Sequence, residues 1–299
     1  MRFLVTGCNG LVGSRVCALL EKGGHAVVGL GRGARRTSGA YSYVECDLTQ
    51  ERDVLAALRA SAAEVIIHPA SMTEVDACER APEQAFAANV LATALVARGA
   101  RELGAHLVHV STDYVFDGEH GPYDEQALPN PRGVYALTKH MAEQAARTFV
   151  PGCAIARTAV VYGWPAAGRA NFGAWLVGSL SQGQPVKLFE DQFVSASFAD
   201  SVASMLVELG ERKLGGIWNT CGADVVDRYG FGRALCEVFG FDARLMTPTR
   251  LADMKLASPR PLRSGLKVDK VRAHLKAQPL PLEESLRRFH AAWKAHQGT

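Results

Sequence analysis

Tyr135 and Lys139 stand four residues apart in Val134-Tyr135-Ala136-Leu137-Thr138-Lys139. In a helix that spacing puts both side chains on one face, a turn apart. A free tyrosine has a pKa of about 10, too high for easy proton exchange at neutral pH. A nearby ammonium stabilises phenolate and lowers that value, so the pair reads as a proton-transfer group and its tuner. Such pairs are common on helices, and this one gains meaning from a strand upstream. That strand ends at Val110-Ser111-Thr112-Asp113-Tyr114-Val115-Phe116-Asp117-Gly118. In an open parallel sheet, the carboxyl ends of the strands face the ligand crevice.

A second set of residues reads as a phosphate site. Gly7-x-x-Gly10-x-x-Gly13 lies between a first apolar strand and a first amphipathic stretch. A diphosphate needs close backbone approach and the positive end of a helix. A tight turn needs residues free of Cβ constraints, and Gly13 lets the helix pack near the sheet. Placed after a strand and before a helix, the pattern implies a nicotinamide dinucleotide. The next strand ends at Leu30-Gly31-Arg32-Gly33-Ala34-Arg35-Arg36. A carboxylate there would select NAD through the adenosine ribose, and none is present. An arginine can instead pair with a 2′-phosphate, so the site leans to NADPH, with NADH as the alternative. Arg32 is the residue assigned to that phosphate; Arg35 and Arg36 also suit a solvated loop. Asp47, after the third strand, is a candidate for the adenine amino group.

These residues require a frame to hold them. Short apolar runs at Phe3–Thr6, Ala26–Leu30, Val65–His68, His106–Val110 and Ala154–Ala156 alternate with helical stretches. Those stretches are about Leu11–Lys22, Gln50–Ala60, Pro82–Leu103 and Val134–Phe149. The alternation predicts an α/β fold, a doubly wound parallel sheet of Rossmann type. Residues 1–160 would form the dinucleotide-binding domain. Residues 161–299 would complete the sheet and build a smaller substrate-binding region, with a soft, discontinuous boundary. The pattern loosens between Gly163 and Pro185, then returns as helix at Ser201–Leu209, strand at Ile217–Cys221, and helices near Tyr229–Phe239 and Leu282–Ala295. Ser258-Pro259-Arg260-Pro261 reads as a non-helical link.

Composition narrows the class. Of 299 residues, 48% are hydrophobic and 21% charged, enough for a sizeable core. The formal charge of +3, from 33 basic and 30 acidic residues, gives no electrostatic case for nucleic acid or a membrane surface. No apolar run is long enough to span a bilayer, and the first residues read as a strand rather than a leader. Seven cysteines, none in a C-x-x-C pair, fit reduced thiols in a cytoplasmic protein. Nine histidines form no H-E-x-x-H, so no metal is assigned.

At the Ser111–Gly118 run the chain resembles the extended short-chain dehydrogenase/reductase superfamily, and within it the dTDP-4-dehydrorhamnose reductase family. The likeness also covers Gly7–Gly13, Ala70–Asp76, Pro122-Tyr123 with Glu125 and Pro129, Tyr135–Lys139 with Glu143, Arg157-Thr158, Asp191-Gln192, Asp200 and Arg260-Pro261. It implies a reductase of a keto group, on a 4-keto-deoxysugar nucleotide, with hydride from the cofactor and a proton from Tyr135. Lys139 would tune Tyr135 and hold the nicotinamide ribose. Thr112 would hydrogen-bond the carbonyl oxygen or Tyr135, with Ser111 as the alternative one residue earlier. Asp113 and Tyr114 would lie beside the substrate. The cofactor would contact Asn9, Leu11 and Val12 around the glycine turn, and Leu48 beside Asp47. Ala70, Ser71 and Thr73 would line it after the fourth strand. Asn89 matches a structural position. A homodimer is the assembly that goes with this reading.

The chain departs from that family at several points. A tryptophan usual after the Arg-Thr motif is replaced by Ala159-Val160, with Trp164 four residues on. Phe193-Val194-Ser195-Ala196 stands where Gly-Ser-Pro-Thr is common, and His68-Pro69-Ala70 where Asn-Ala-Ala is common. His68 reads as packed or cofactor-adjacent. Two other functions fit the same frame. One is an epimerase or dehydratase of the superfamily, although Asp113-Tyr114 lacks the acidic pair of the dehydratases. The other is a non-catalytic NADP-binding regulatory subunit like that of methionine adenosyltransferase.

Overall fold

The computed structural model describes residues 1–165 and 170–297. Seven parallel strands form the main sheet: β1 Arg2–Thr6, β2 Ala26–Gly31, β3 Ser42–Glu45, β4 Val65–His68, β5 His106–Thr112, β6 Ala154–Thr158 and β7 Gly216–Asn219. Their spatial order is β7-β6-β5-β4-β1-β2-β3. The winding reverses between β1 and β4: β1 pairs in parallel with β2 through Arg2↔Ala26 and with β4 through Phe3↔Val65. That reversal opens the crevice expected of a doubly wound sheet.

The strands are apolar on both faces because helices cover both. Phe3, Val5, Val65, Ile67, Val108 and Val110 pack with residues of α1, Leu11–Lys22, and of the Ala199–Glu211 helix. Alternate positions Leu4, Ile66, Leu107 and Ile155 pack on the other face with α2, Glu51–Ser61, and the Ala92–Leu103 helix. This is the two-residue period of a strand buried twice over.

Two elements differ from expectation. The Pro82–Leu103 stretch is not one regular helix: Pro82–Phe86 runs into a π-helical turn, Ala87–Leu91, before Ala92–Leu103. Asn89 sits in that turn and is buried. Its side chain accepts from Met72 N at 2.7 Å and donates to Met72 O and Thr138 Oγ1. It therefore fastens the loop after β4 to the helix that carries Tyr135. In the Gly- and Pro-rich stretch, Phe172–Ser181 is a helix, capped by Asn171 Oδ1 accepting from Ala174 N at 3.1 Å. Its sequence is apolar nearly all round, so it carries no stripe for a periodicity reading to detect.

The later chain divides its residues between two bodies of packing. The Ala199–Glu211 helix and β7 complete the main sheet. Tyr162, Leu176, Phe198, Phe231, Phe239 and Phe289 build a separate apolar cluster. Residues from this second half return to the carboxyl end of β5: Arg263 N donates to Gly118 O, and Ser264 Oγ to Asp113. No helix among the described residues is long and apolar enough to cross a membrane.

Candidate active site

The glycine turn closes tightly. Gly7 has φ +60°, and Gly10 N donates to Gly7 O at 2.8 Å. A Cβ built on Gly13 would lie 2.3 Å from Gly7 O, so only glycine lets α1 approach the turn this closely. Gly10 caps α1 without a side chain, which leaves the helix N-terminus open to an anion. Leu11 and Val12 are half-buried beside it. Asn9 ties the turn to the next strand end: its Nδ2 donates to Ala34 O and Tyr43 Oη, and its Oδ1 accepts from Arg36 N.

The three arginines of that strand end separate by contact. Arg35 donates to the carbonyls of Thr37, Gly39 and Tyr41 and stacks 4.0 Å over the Tyr41 ring. Arg32 and Arg36 are exposed. Asp47 Oδ1 accepts from Thr49 N and Thr49 Oγ1, bonds that hold its carboxyl below the usual range. Leu48, Ala70 and Ser71 are half-buried, and Thr73 is exposed. His68 is buried between Thr6 Oγ1 at 2.7 Å and Thr93 Oγ1 at 3.1 Å. Burial, with the Lys139 charge, depresses its imidazole to about 3, so it stays neutral.

Tyr135 begins the Val134–Phe149 helix, packed edge-on to Tyr114 with ring centres 5.6 Å apart. Thr112, at the last position of β5, is within hydrogen-bonding reach of the phenol. Ser111 points the other way, to Glu143 on the buried side of the helix. The two candidates one residue apart are thus separated by strand alternation. The phenol does not show the depressed pKa anticipated from Lys139. Burial pushes it up, against the Thr112 bond, so the side chain holds its proton at neutral pH. Lys139 is also buried and donates to Val110 O at 2.7 Å. Burial lowers its ammonium to about 8, against the pull of Glu143.

Asp113 lies under the same crevice, with Oδ1 accepting from Thr112 Oγ1 at 3.1 Å. Burial raises its carboxyl to about 6 despite the Ser264 and Thr112 bonds. Next to Asp113 and Tyr114 stands Arg228, a residue no motif had singled out. Its Nε donates to Gln192 Oε1 at 3.1 Å, and its guanidinium lies 4.5 Å over the Phe172 ring. Its Nη1 is buried with no hydrogen-bond partner among the described residues. The charge of Arg260 bears on it, while Arg260 itself pairs with Asp76 at 2.9 Å. Arg228 lies 93 residues beyond Tyr135 in the sequence, so only the tertiary fold brings it here.

Comparison with known proteins shows the family. The family model of the RmlD substrate binding domain matches residues 1–294. A probable low-salt glycan biosynthesis reductase, Agl14, of Haloferax volcanii is 35% identical over 296 residues, 98% of each chain. A dTDP-4-dehydrorhamnose reductase of Mycobacterium tuberculosis is 31% identical over 272 residues, covering 89% of this chain and 84% of that protein. The crystal structure of a dTDP-4-dehydrorhamnose reductase from Clostridium acetobutylicum superposes with a TM-score of 0.88 at 25% identity. It covers 98% of this chain and 100% of that one.

Proposed function

We propose, because this chain belongs to the RmlD substrate binding domain family, that it is an NADPH-dependent oxidoreductase that reduces a ketone on a sugar nucleotide. The observation that carries the reading is the buried Tyr135 beside Thr112, at the carboxyl end of β5. A group that must give up a proton has to hold one first, and burial ensures that it does.

The residues present fit the cofactor. The cradle at Gly7, Gly10 and Gly13 would take the diphosphate, and Arg32 the 2′-phosphate. Asn9, Leu11, Val12, Asp47, Leu48, Ala70, Ser71 and Thr73 would line its course toward Tyr135 and Lys139. A bound dihydronicotinamide would supply the hydride. Thr112 would orient the ketone oxygen, Tyr135 would protonate that oxygen, and Lys139 would hold the ribose. Division of labour follows: residues 1–160 would bind the cofactor, and residues 161–299 would complete the sheet and enclose the substrate.

For the substrate, Arg228 supports an anionic partner. An unpartnered, buried N–H beside a second guanidinium is costly in isolation and favourable when a phosphate arrives. The relatives named dTDP-4-dehydrorhamnose reductase support a dTDP-linked keto sugar. Asp113 and Tyr114 would contact the sugar, and Arg228 its diphosphate. All seven cysteines are buried and free, which fits the reducing cytoplasm.

Replacing Tyr135 with Phe tests the assignment. General acids typically contribute a factor of about 10² to 10⁴. The variant should lose at least about a hundredfold in kcat while binding NADPH as the parent does. Turnover retained at the parental rate would remove Tyr135 from its role.

A further inference from the structure

Tyr135, Lys139 and Glu143 recur at intervals of four along one helix, so the three share a face. The first two belong to the proposed reaction, and Glu143 has no part in it. Its burial is as deep as theirs, at 1% exposure. A carboxylate is kept charged in such a place only by close partners, and they are informative here.

Arg157, in β6, meets Glu143 in a two-pronged pair: Nε to Oε1 at 2.9 Å and Nη2 to Oε2 at 2.8 Å. Ser111 Oγ, in β5, donates to Oε1 at 2.6 Å. His140 Nδ1 lies 3.8 Å from Oε2. Burial pushes the carboxyl up, yet the Arg157, His140 and Ser111 contacts outweigh it and hold Glu143 at about 2. One charged group therefore joins the helix to two strand ends, and Ser111 is the residue before Thr112. The Arg157 guanidinium also lies 5.1 Å from the Phe116 ring centre.

We propose that Glu143 is a positioning residue that pins the Tyr135–Lys139 face in register with Thr112 and whose negative charge keeps the buried Lys139 ammonium charged. The roles of Tyr135 and Lys139 rest on the reductase reading; the pin and the charge coupling do not. The other groups facing Lys139 support the coupling. His68 on β4 and His109 on β5 interact with Lys139, and burial holds both neutral. The Arg157 charge on β6 is matched by its own pairing with Glu143. Burial brings the Lys139 ammonium down to about 8, and Glu143 is the group that pulls it back up. The ammonium is present below that pH and lost as pH rises through it. Removing the Glu143 charge must move the midpoint down.

NADPH affinity can be followed against pH by the fluorescence of the bound cofactor, without turnover. In the parent, affinity should fall above a pH of about 8. Glu143→Gln should lower the midpoint by about one unit, the size of effect expected of an opposite charge nearby. Glu143→Asp keeps the charge and shortens the reach, so it should keep the midpoint and lose kcat several-fold. Ser111→Ala should do the same and serves where Glu143→Gln does not fold. A midpoint unchanged in Glu143→Gln, or moved equally by Asp and Gln, would overturn the coupling. Parental kcat in both Glu143→Asp and Ser111→Ala would overturn the pin. If the parent reduces no ketone, it is the reductase reading that fails. The Lys139 midpoint is then read from lysine side-chain resonances of labelled parent and Glu143→Gln protein, with the same outcomes deciding.

Discussion

Arg32 and Arg35 are three positions apart and do unlike work. Arg35 is occupied with three carbonyls of its own loop and the Tyr41 ring. The Arg32 side chain makes no hydrogen bond or ion pair among the described residues, which suits the contact proposed for it with a ligand phosphate. A charge-assisted hydrogen bond contributes roughly 1.5–3 kcal/mol, about ten- to a hundredfold in affinity. Arg32→Ala should weaken NADPH by that factor and leave NADH nearly unchanged; equal losses for the two cofactors, measured by titration, would reject the phosphate assignment. The basic strand end is legible in the sequence, because an acid is absent and three arginines are present. Which arginine is occupied is not legible, since the carbonyls that engage Arg35 are set by the path of the loop. The Tyr–Lys pair shows the same limit. Its helical spacing can be read directly, while the direction of the phenol shift depends on how deeply Tyr135 is buried.

Gly13 shows how two small effects compete within an element. Alanine in a helix interior is favoured over glycine by about 1 kcal/mol. Here its Cβ would fall 2.3 Å from the carbonyl oxygen of Gly7, a backbone atom that cannot swing aside. Overpacking costs about 1–3 kcal/mol, so the clash should outweigh the propensity gain. Gly13→Ala should lower the melting temperature and abolish NADPH binding. A stabilised variant that still binds NADPH would contradict the close-packed cradle. The strands and principal helices were readable because each is either continuously apolar or amphipathic with a clear period. The Phe172–Ser181 helix was not, because it lies among glycines and is apolar nearly all round. The π turn at Ala87–Leu91 was hidden too: it exists where Asn89 bonds Met72 and Thr138, partners from other elements.

At the scale of the whole molecule, the chain brings its two halves together at the carboxyl end of β5. The first half supplies Thr112, Tyr135 and Lys139, which spacing and position on the sheet make recognisable. The second half supplies Ser264, Arg228 and Arg260, scattered over loops and helix starts. Arg260 lies in a motif, whereas Arg228 is marked by a buried N–H without a partner among the described residues. The proposed cofactor half of the candidate site is therefore far more legible than the proposed substrate half. Local chain geometry dictates glycine turns and helix faces, while a substrate pocket is assembled from distant segments. The most direct test of the reductase reading is to mix the chain with NADPH and a dTDP-linked 4-keto-6-deoxysugar and follow the dihydronicotinamide absorbance. The account predicts catalytic oxidation of NADPH, one equivalent per keto group reduced. NADPH that stays bound and unoxidised in the presence of that sugar would contradict it, and would favour a protein that binds the cofactor without using it.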